Sequence, residues 1–427
     1  MIKKRYEKIN EVVYSKKLDN GLEVYVIPKP NFSLTYATFA TKFGSTDTRF
    51  IPIGETEFKN VPLGVAHFLE HKLFEMENGE DAINLFENLG AEANAFTDHN
   101  QTAYIASTTT KTNDVINLLL DFVQSPIFKE QGIIKEQGII MQELMMYKDK
   151  PGNRAHIGIM QNMFSTSPIR EDIVGTEESI LQITKDVLYD CYNTFYHPTN
   201  MVIVVVGNVV PEEMIKLIED NQKAKSFPKP QELKKEIIVE DNKVFRKHSK
   251  IKMDIMMPRV SIGVKLPKVS YERNQIMLDE IKLKMLLENN FGLSSFNYQY
   301  MLDEEMFNTG FSYNVQLNEH TGYITISANT NQPEVFAKFI KTKLKELSEF
   351  NLDINDFHQM KKAIIGSFIK SFNHLDFIAH GLVDYKFKDG NLFEALELLQ
   401  NITYKDLERF NNYFVEDAIS EFVIVNK

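Results

Sequence analysis

Residues 64–71 read Gly64-Val65-Ala66-His67-Phe68-Leu69-Glu70-His71 and contain the pattern His-x-x-Glu-His. Apolar residues recur around it every three or four positions, at Ala66, Leu69 and Leu73, which is typical of a helix with one apolar face. Side chains four residues apart lie on the same helix face, so His67 and His71 can bind one cation through imidazole nitrogen. This segment therefore predicts a helix that carries two metal ligands.

The side chains of this motif indicate which metal would bind and which reaction it would support. Neutral imidazoles with a carboxylate suit Zn²⁺, whose charge makes a nearby water more acidic, and Glu70 beside the histidines can take its proton. The alternative is a solvated helix face on which these residues have no joint role. The apolar positions argue against it, because they turn one face to a core and leave the histidines free to face a site. We expect one zinc ion per chain.

Zinc needs a third protein ligand while one position stays open. Glu75 lies one turn beyond His71, but three ligands in a line along one helix cannot surround a tetrahedral ion. A second predicted helix, residues 133–146, offers Glu136 and Glu143, which are seven residues apart and therefore share a face. The residues by themselves leave the third ligand open between these two.

Composition narrows the class of protein. The 427 residues are 43% hydrophobic, and 48 basic against 59 acidic residues give a net charge of −11, which argues against a nucleic acid or an anionic membrane as a partner. The single cysteine, Cys191, permits no internal disulfide and fits a reducing compartment. The first 14 residues lack the apolar core of a secretory signal, and the longest aliphatic run, 201–206, is too short to cross a bilayer. We expect a cytoplasmic protein.

The chain repeats itself at an offset of 219 positions. Ile183-Thr184-Lys185-Asp186 is echoed by Ile402-Thr403-Tyr404-Lys405, and the apolar run at 202–206 falls on 421–425. Between the copies, residues 221–235 are polar and interrupted by Pro228 and Pro230, as in a linker. We predict an α+β protein of two duplicated halves, each a mostly antiparallel sheet with helices on one face: 1–220 with the metal motif, and 236–427 after the linker.

Local patterns add detail in the first half. Alternation at residues 22–27 and 35–42 predicts strands, and residues 94–107 are again predicted to be β-structure. Pro151-Gly152 is expected to end the helix that begins near residue 133.

Further motifs follow in a fixed order: Gly90-Ala91-x-x-Asn94-Ala95-Phe96-Thr97, Thr102-x-Tyr104 and Phe195-Tyr196-His197-Pro198-x-Asn200-Met201. With the inverted histidine motif, their order and spacing resemble the pitrilysin/insulinase metallopeptidases. The two-half layout looks like the bacterial branch related to mitochondrial processing peptidase. Residues 66–75 and 188–198 are most similar to a Gram-positive subgroup associated with elongation-factor-P modification. The resemblance covers essentially the whole chain and is strong from about residue 18 to residue 210.

The resemblance implies roles for individual residues. His67, His71 and Glu143 match the zinc ligands, Glu70 the general base and Glu136 a carboxylate that supports the ligands. A second set matches the sheet edge on which substrates pair as an added strand: Asn94, Ala95 and Phe96. The implied activity is a zinc-dependent endopeptidase that hydrolyses unfolded peptides inside a clamshell of two halves.

The second half departs from the family. It has no His-x-x-Glu-His, and Asp303 stands where active members often carry an arginine that helps hold the substrate carbonyl. Tyr313 is a displaced candidate for the accompanying tyrosine. Since some relatives divide these residues between two chains, we expect a homodimer or a heterodimer with a homologous chain. The alternative is a non-catalytic assembly or peptide-binding subunit of the same fold.

Overall fold

The computed structural model describes residues 1–77, 79–267, 275–347 and 354–427. They form two compact units, and each unit is discontinuous in sequence. The first unit contains Met1–Leu144, Asp172–Glu236 and Ser371–Phe387. The second contains Met145–Glu171, Ile237–Lys370 and Lys388–Lys427. The units therefore do not follow from a single cut at the predicted linker, 221–235.

The first unit contains a seven-stranded sheet with the strand order β1-β2-β3-β9-β4-β8-β7. It also contains a separate two-stranded ribbon, β5-β6. All neighbouring strands of the large sheet are antiparallel except β3 and β9. The strands are β1 Ile2–Tyr6, β2 Glu11–Lys17, β3 Glu23–Pro28, β4 Thr35–Thr41, β5 Arg49–Phe50, β6 Lys59–Asn60, β7 Ala91–Thr97, β8 Thr102–Thr108 and β9 Met201–Gly207.

The second unit has a five-stranded sheet with the order β10-β14-β11-β13-β12, in which only β10 and β14 are parallel. Its strands are β10 His248–Met253, β11 Arg259–Lys265, β12 Thr309–Leu317, β13 Gly322–Asn329 and β14 Ile419–Asn426. This order and these directions match β3-β9-β4-β8-β7 of the first sheet. The predicted α+β fold with two duplicated halves is confirmed, and the repeated segments at the end of each half lead into the equivalent strands β9 and β14.

Helices cover both sheets. They are α1 Val65–Leu73, α2 Ala82–Asn88, α3 Thr112–Val123, α4 Glu130–Asp149, α5 Pro151–Met163, α6 Glu177–Leu181, α7 Lys185–Phe195, α8 Pro211–Lys223, α9 Gln275–Phe291, α10 Phe296–Asp303, α11 Pro333–Glu346, α12 Ile354–Ser371, α13 Leu375–Phe387 and α14 Ala395–Asn401, with a 3₁₀ helix at Tyr404–Tyr413. Within the part of the chain that the structure describes, no helix is both long and apolar enough to span a bilayer.

Two helices, α5 and α13, are exchanged: each packs in the unit that is formed mainly by the other half of the sequence. The helix from the first half, α5, packs on β11 and β14 of the second unit, where it joins a core that includes Phe422 and Ile424. The helix from the second half, α13, packs on β4 and β9 of the first unit, where the Tyr36 hydroxyl lies 2.7 Å from Nε2 of His380. Both helices cover the same pair of strands in their respective sheets. The exchange explains why every residue of β9 is buried.

Two local predictions are confirmed, with added detail. The strand predicted at residues 94–107 forms parts of two antiparallel strands, β7 and β8, which are separated by a turn because Asp98 accepts hydrogen bonds from the backbone N–H groups of Asn100 and Gln101. The helix predicted to end at Pro151-Gly152 does end there, since α4 stops at Asp149, and Pro151 also begins α5 because its fixed φ suits the first helical position.

Candidate metal centre and active site

A glycine sets the start of the motif helix α1. Gly64 has φ +85°, a left-handed conformation, and a Cβ there would lie 2.2 Å from the carbonyl oxygen of Val174. Only glycine allows this close approach. The helix that follows buries Phe68 and Leu69 completely, which turns the opposite side of α1 toward α4.

Three candidate ligands converge between α1 and α4. Oε2 of Glu143 lies 3.7 Å from Nε2 of His67 and 3.6 Å from Nε2 of His71. One donor atom from each of these residues falls within 4.8 Å of the others, and no other such grouping occurs among the described residues. The structure therefore brings the two predicted histidines together with one of the two candidate glutamates.

The other glutamate, Glu136, lies behind the centre. Its Oε1 is 3.1 Å from Nδ1 of His71, the ring nitrogen that faces away from Glu143. A carboxylate on the second nitrogen orients a ligating imidazole and raises its basicity. Glu75 is engaged elsewhere, because its carboxylate forms an ion pair with Lys72.

These residues fit a zinc ion. Two imidazole nitrogens and one carboxylate oxygen are a common donor set for catalytic zinc, and ligand atoms around tetrahedral zinc lie about 3.3–3.5 Å apart. The two separations between Glu143 and the histidines, 3.7 and 3.6 Å, approach that value. Burial and the charge of His71 lower the pKa of His67 to about 3, so its ring is in the neutral form that binds metal. Its Nδ1 is buried without a hydrogen-bond partner among the described residues.

The charged groups around His71 raise its pKa, whereas the pKa of His67 is lowered. Burial alone lowers the pKa of His71, but the hydrogen bond and charge of Glu136, with the charges of Glu70 and Glu143, outweigh burial and raise it. The centre is thus rich in negative charge, which favours a divalent cation.

Glu70 is a buried carboxylate beside the centre. Its exposed fraction is 7%, and its Oε2 accepts a 2.5 Å hydrogen bond from the Thr97 hydroxyl. Burial raises its pKa and Glu143 raises it further, against the hydrogen bond from Thr97 and the charge of His71. A carboxylate whose pKa is raised toward neutrality is suited to general acid–base catalysis.

Thr97 was not singled out as a functional residue from the sequence. The register of β7 against β8 pairs Thr97 with Thr102 and Ala95 with Tyr104, so Thr97 and Ala95 share a sheet face. Alternation within the motif at residues 90–97 could have indicated that Ala95 and Thr97 share a face. It could not have indicated that this face contacts α1.

The predicted peptide-binding residues lie on an edge strand. Among the strands that the structure describes, β7 pairs only with β8, so its outer side is a free edge of the sheet. The Asn94 side chain is exposed and its Oδ1 accepts from the Ala95 N–H at 2.9 Å. Phe96 contacts the ring of His380 at 5.3 Å, on the face that α13 covers. Of the three, Ala95 shares a face with Thr97.

The second unit holds the residues that departed from the expected pattern. Asp303 ends α10 and accepts a hydrogen bond from Gln299 at an exposed position. Tyr313 lies on β12, and its hydroxyl donates to the carboxylate of Glu288.

The chain is therefore an α+β protein with two similar sheets and a candidate zinc hydrolase site. That site consists of a His-His-Glu centre beside a buried glutamate. Residues 50–177 match the family model Insulinase (Peptidase family M16), and residues 182–364 match the model Peptidase M16 inactive domain. The chain belongs to peptidase family M16, as the resemblance in sequence predicted.

Individual relatives cover nearly the full chain. The uncharacterized zinc protease YmfH of Bacillus subtilis is 40% identical over 422 residues, which are 99% of this chain and 97% of YmfH. The crystal structure of an M16-like protein from Alicyclobacillus acidocaldarius is 34% identical, covers 98% of this chain and 99% of its own, and superposes with a TM-score of 0.93. A protease from Helicobacter pylori shares the fold at 18% identity and a TM-score of 0.83, covering 97% and 99% of the two chains.

Proposed function

We propose that this chain is a zinc-dependent endopeptidase with His67, His71 and Glu143 as ligands. The observation that carries the proposal is the convergence of their donor atoms next to the buried carboxylate of Glu70. Bound zinc would polarise a peptide carbonyl and acidify water. Glu70 accepts the proton from the attacking water and returns it to the leaving amine, while Thr97 holds the carboxylate in place.

The proposed substrate is an unfolded peptide that pairs with β7. An extended segment on an open sheet edge is recognised mainly through its backbone, so folded proteins are poor substrates. Asn94, Ala95 and Phe96 would line the added strand. Pairing would require the Asn94 side chain to release the Ala95 N–H.

We further propose a homologous partner, in a homodimer or a heterodimer. It would supply the arginine that Asp303 replaces here. In this arrangement, 1–220 is the catalytic half, 221–235 the linker and 236–427 the supporting half. Cys191, which is buried as a free thiol, is compatible with the proposed cytoplasmic location.

The test combines metal content with cleavage. The purified chain, alone and mixed with any homologue that co-purifies from its host, is assayed for zinc and for cleavage of a quenched library of unfolded peptides. We expect one zinc per chain. Glu70→Gln should keep the zinc and lose cleavage by about 10²–10⁴-fold, whereas Glu130→Gln, an exposed change on α4, should alter neither.

The alternative is a non-catalytic peptide-binding subunit, which Asp303 favours. Zinc without cleavage in every sample would support it. Equal peptide cleavage by the wild-type chain and Glu70→Gln would contradict the endopeptidase proposal.

A further inference from the structure

Lys72 is a fully buried lysine that directly follows the candidate ligand His71. Its exposed fraction is 0%, and its Nζ forms an ion pair with the carboxylate of Glu75, one turn further along the chain. A buried ion costs several kcal/mol unless it is paired and well placed. Neither residue takes part in the chemistry proposed above, so the placement of the pair calls for an explanation.

The ion pair lies directly against the backbone of α4 at Gly132. A Cβ on Gly132 would lie 2.6 Å from Oε2 of Glu75 and 2.8 Å from Nζ of Lys72. At separations below 3.0 Å one partner has to move. Lys72 has no exposed surface, whereas the Glu75 side chain is 32% exposed, so an added Cβ would displace the carboxylate of Glu75 from the ion pair. The absence of a side chain at Gly132 therefore allows α4 to lie this close to an intact Lys72–Glu75 pair.

Gly132 shares a face of α4 with both functional carboxylates. Glu136 is four residues further on and Glu143 eleven residues further on, which correspond to about one and three helical turns. Contacts along this face follow a fixed order. Gly132 meets the ion pair, Glu136 meets His71, and Glu143 reaches both histidines. The ion pair, the supporting carboxylate and the candidate ligand thus all meet α1 or the residues that follow it through one face of α4.

We propose that the Lys72–Glu75 ion pair and Gly132 are positioning residues for the metal centre. Together they fix the distance at which α4 presents Glu143 to His67 and His71. The pair also occupies Glu75, a carboxylate one turn from His71 that would otherwise be available to the metal. This inference rests on the proposed function, because it takes those three residues as ligands.

Two glycine variants in the same helix test the proposal. Gly132→Ala adds the Cβ that meets the ion pair, whereas Gly138→Ala adds one that meets no described atom within 4 Å. Both changes favour the helix to a similar degree. Zinc affinity is measured by competition with a chelator, and thermal unfolding of the metal-free protein is measured in parallel. We expect a loss of about 10–100-fold in zinc affinity for Gly132→Ala and no change for Gly138→Ala.

A third variant addresses the ion pair itself. Glu75→Gln keeps the size of the side chain but removes the charge that balances Lys72, and it should lower zinc affinity by about tenfold. Glu87→Gln, an exposed change on α2, is its control.

The outcomes separate this inference from the proposed function. A wild-type chain that binds no zinc contradicts both. If the wild-type chain binds one zinc and Gly132→Ala binds it equally well, the positioning role alone is overturned, even where the variant unfolds at a lower temperature. Equal losses in the two glycine variants would overturn it as well, because the effect would then not depend on the ion pair.

Discussion

At the scale of single residues, the contact between Glu136 and His71 leads to a prediction about zinc affinity. Glu136→Gln keeps the shape of the side chain but removes the charge that holds Nδ1 of His71 at 3.1 Å. We expect zinc affinity to fall by about 10–100-fold, as for other second-layer partners of ligating histidines. Chelator competition measures the change. Loss of zinc equal to that of Glu143→Gln would instead indicate that Glu136 is itself a ligand.

Local spacing predicted the roles of some residues at the site but not of others. The i,i+4 histidines and the carboxylates seven residues apart were visible as pairs on helix faces. Spacing alone left Glu136 and Glu143 equivalent, because which of them reaches the histidines depends on the depth of α4, and the family resemblance was needed to favour Glu143 as the ligand. The hydrogen bond from Thr97 to Glu70 and the contact of the Lys72–Glu75 pair with Gly132 depend on contacts between elements, for which local periodicity contains no information.

At the scale of elements, Glu240 stabilises the segment that follows α5. Its carboxylate accepts from the backbone N–H groups of Ser165, Thr166 and Ser167 and pairs with Lys265. Burial alone raises the pKa of Glu240, but Lys265 and these N–H groups outweigh burial and lower it to about 2.

This shift predicts acid sensitivity. A carboxyl whose folded-state pKa lies below its unfolded value stabilises the protein above the unfolded value, about 4.3, and loses that contribution as the pH falls toward 2. We expect Glu240→Gln to lose about 1–2 kcal/mol at pH 7, after allowance for solvent screening, and to lose less stability than the wild type between pH 5 and pH 3. Urea unfolding across this range measures both effects. Parallel pH curves for the two proteins would contradict the assignment.

The packing of α5 on β14 gives a second prediction for an element. A Cβ on Gly158 would lie 2.2 Å from the ring of Phe422, which is buried. Although alanine favours helix, Gly158→Ala should destabilise the protein by about 1–3 kcal/mol, because the added methyl overpacks this core. Gly366→Ala in α12, where a Cβ meets no described atom within 4 Å, should be neutral or stabilising. Denaturant unfolding compares the two, and an equal response would show that the core yields.

The prediction at Pro151 was right about where α4 ends, but it did not include the helix that follows. Pro151 both limits α4 and begins α5. The exchange of α5 and α13 could not be predicted, since each helix shows the same amphipathic pattern whichever sheet it covers. Duplication, in contrast, was predictable because its evidence is a match within the sequence.

For the whole molecule, the exchange predicts that the first half does not fold properly as a fragment. Residues 1–236 lack α13, whose Ile378, Ala379 and Leu382 are buried on β4 and β9 in the intact chain. We expect this fragment to bind a hydrophobic dye and to unfold without a cooperative transition. The same fragment joined to residues 371–387 by a flexible linker should bind less dye and regain cooperativity. Cooperative unfolding of residues 1–236 with no added helix would contradict this prediction.

The same exchange has a consequence during translation. The ribosome releases α13 only after 387 residues have been joined, which takes about 20–80 s at 5–20 residues per second. β9 is complete at residue 207, so β4 and β9 lack the helix that buries them while the next 180 residues are added, for about 9–36 s. The nascent polypeptide, rather than the finished protein, is therefore the species most in need of a chaperone.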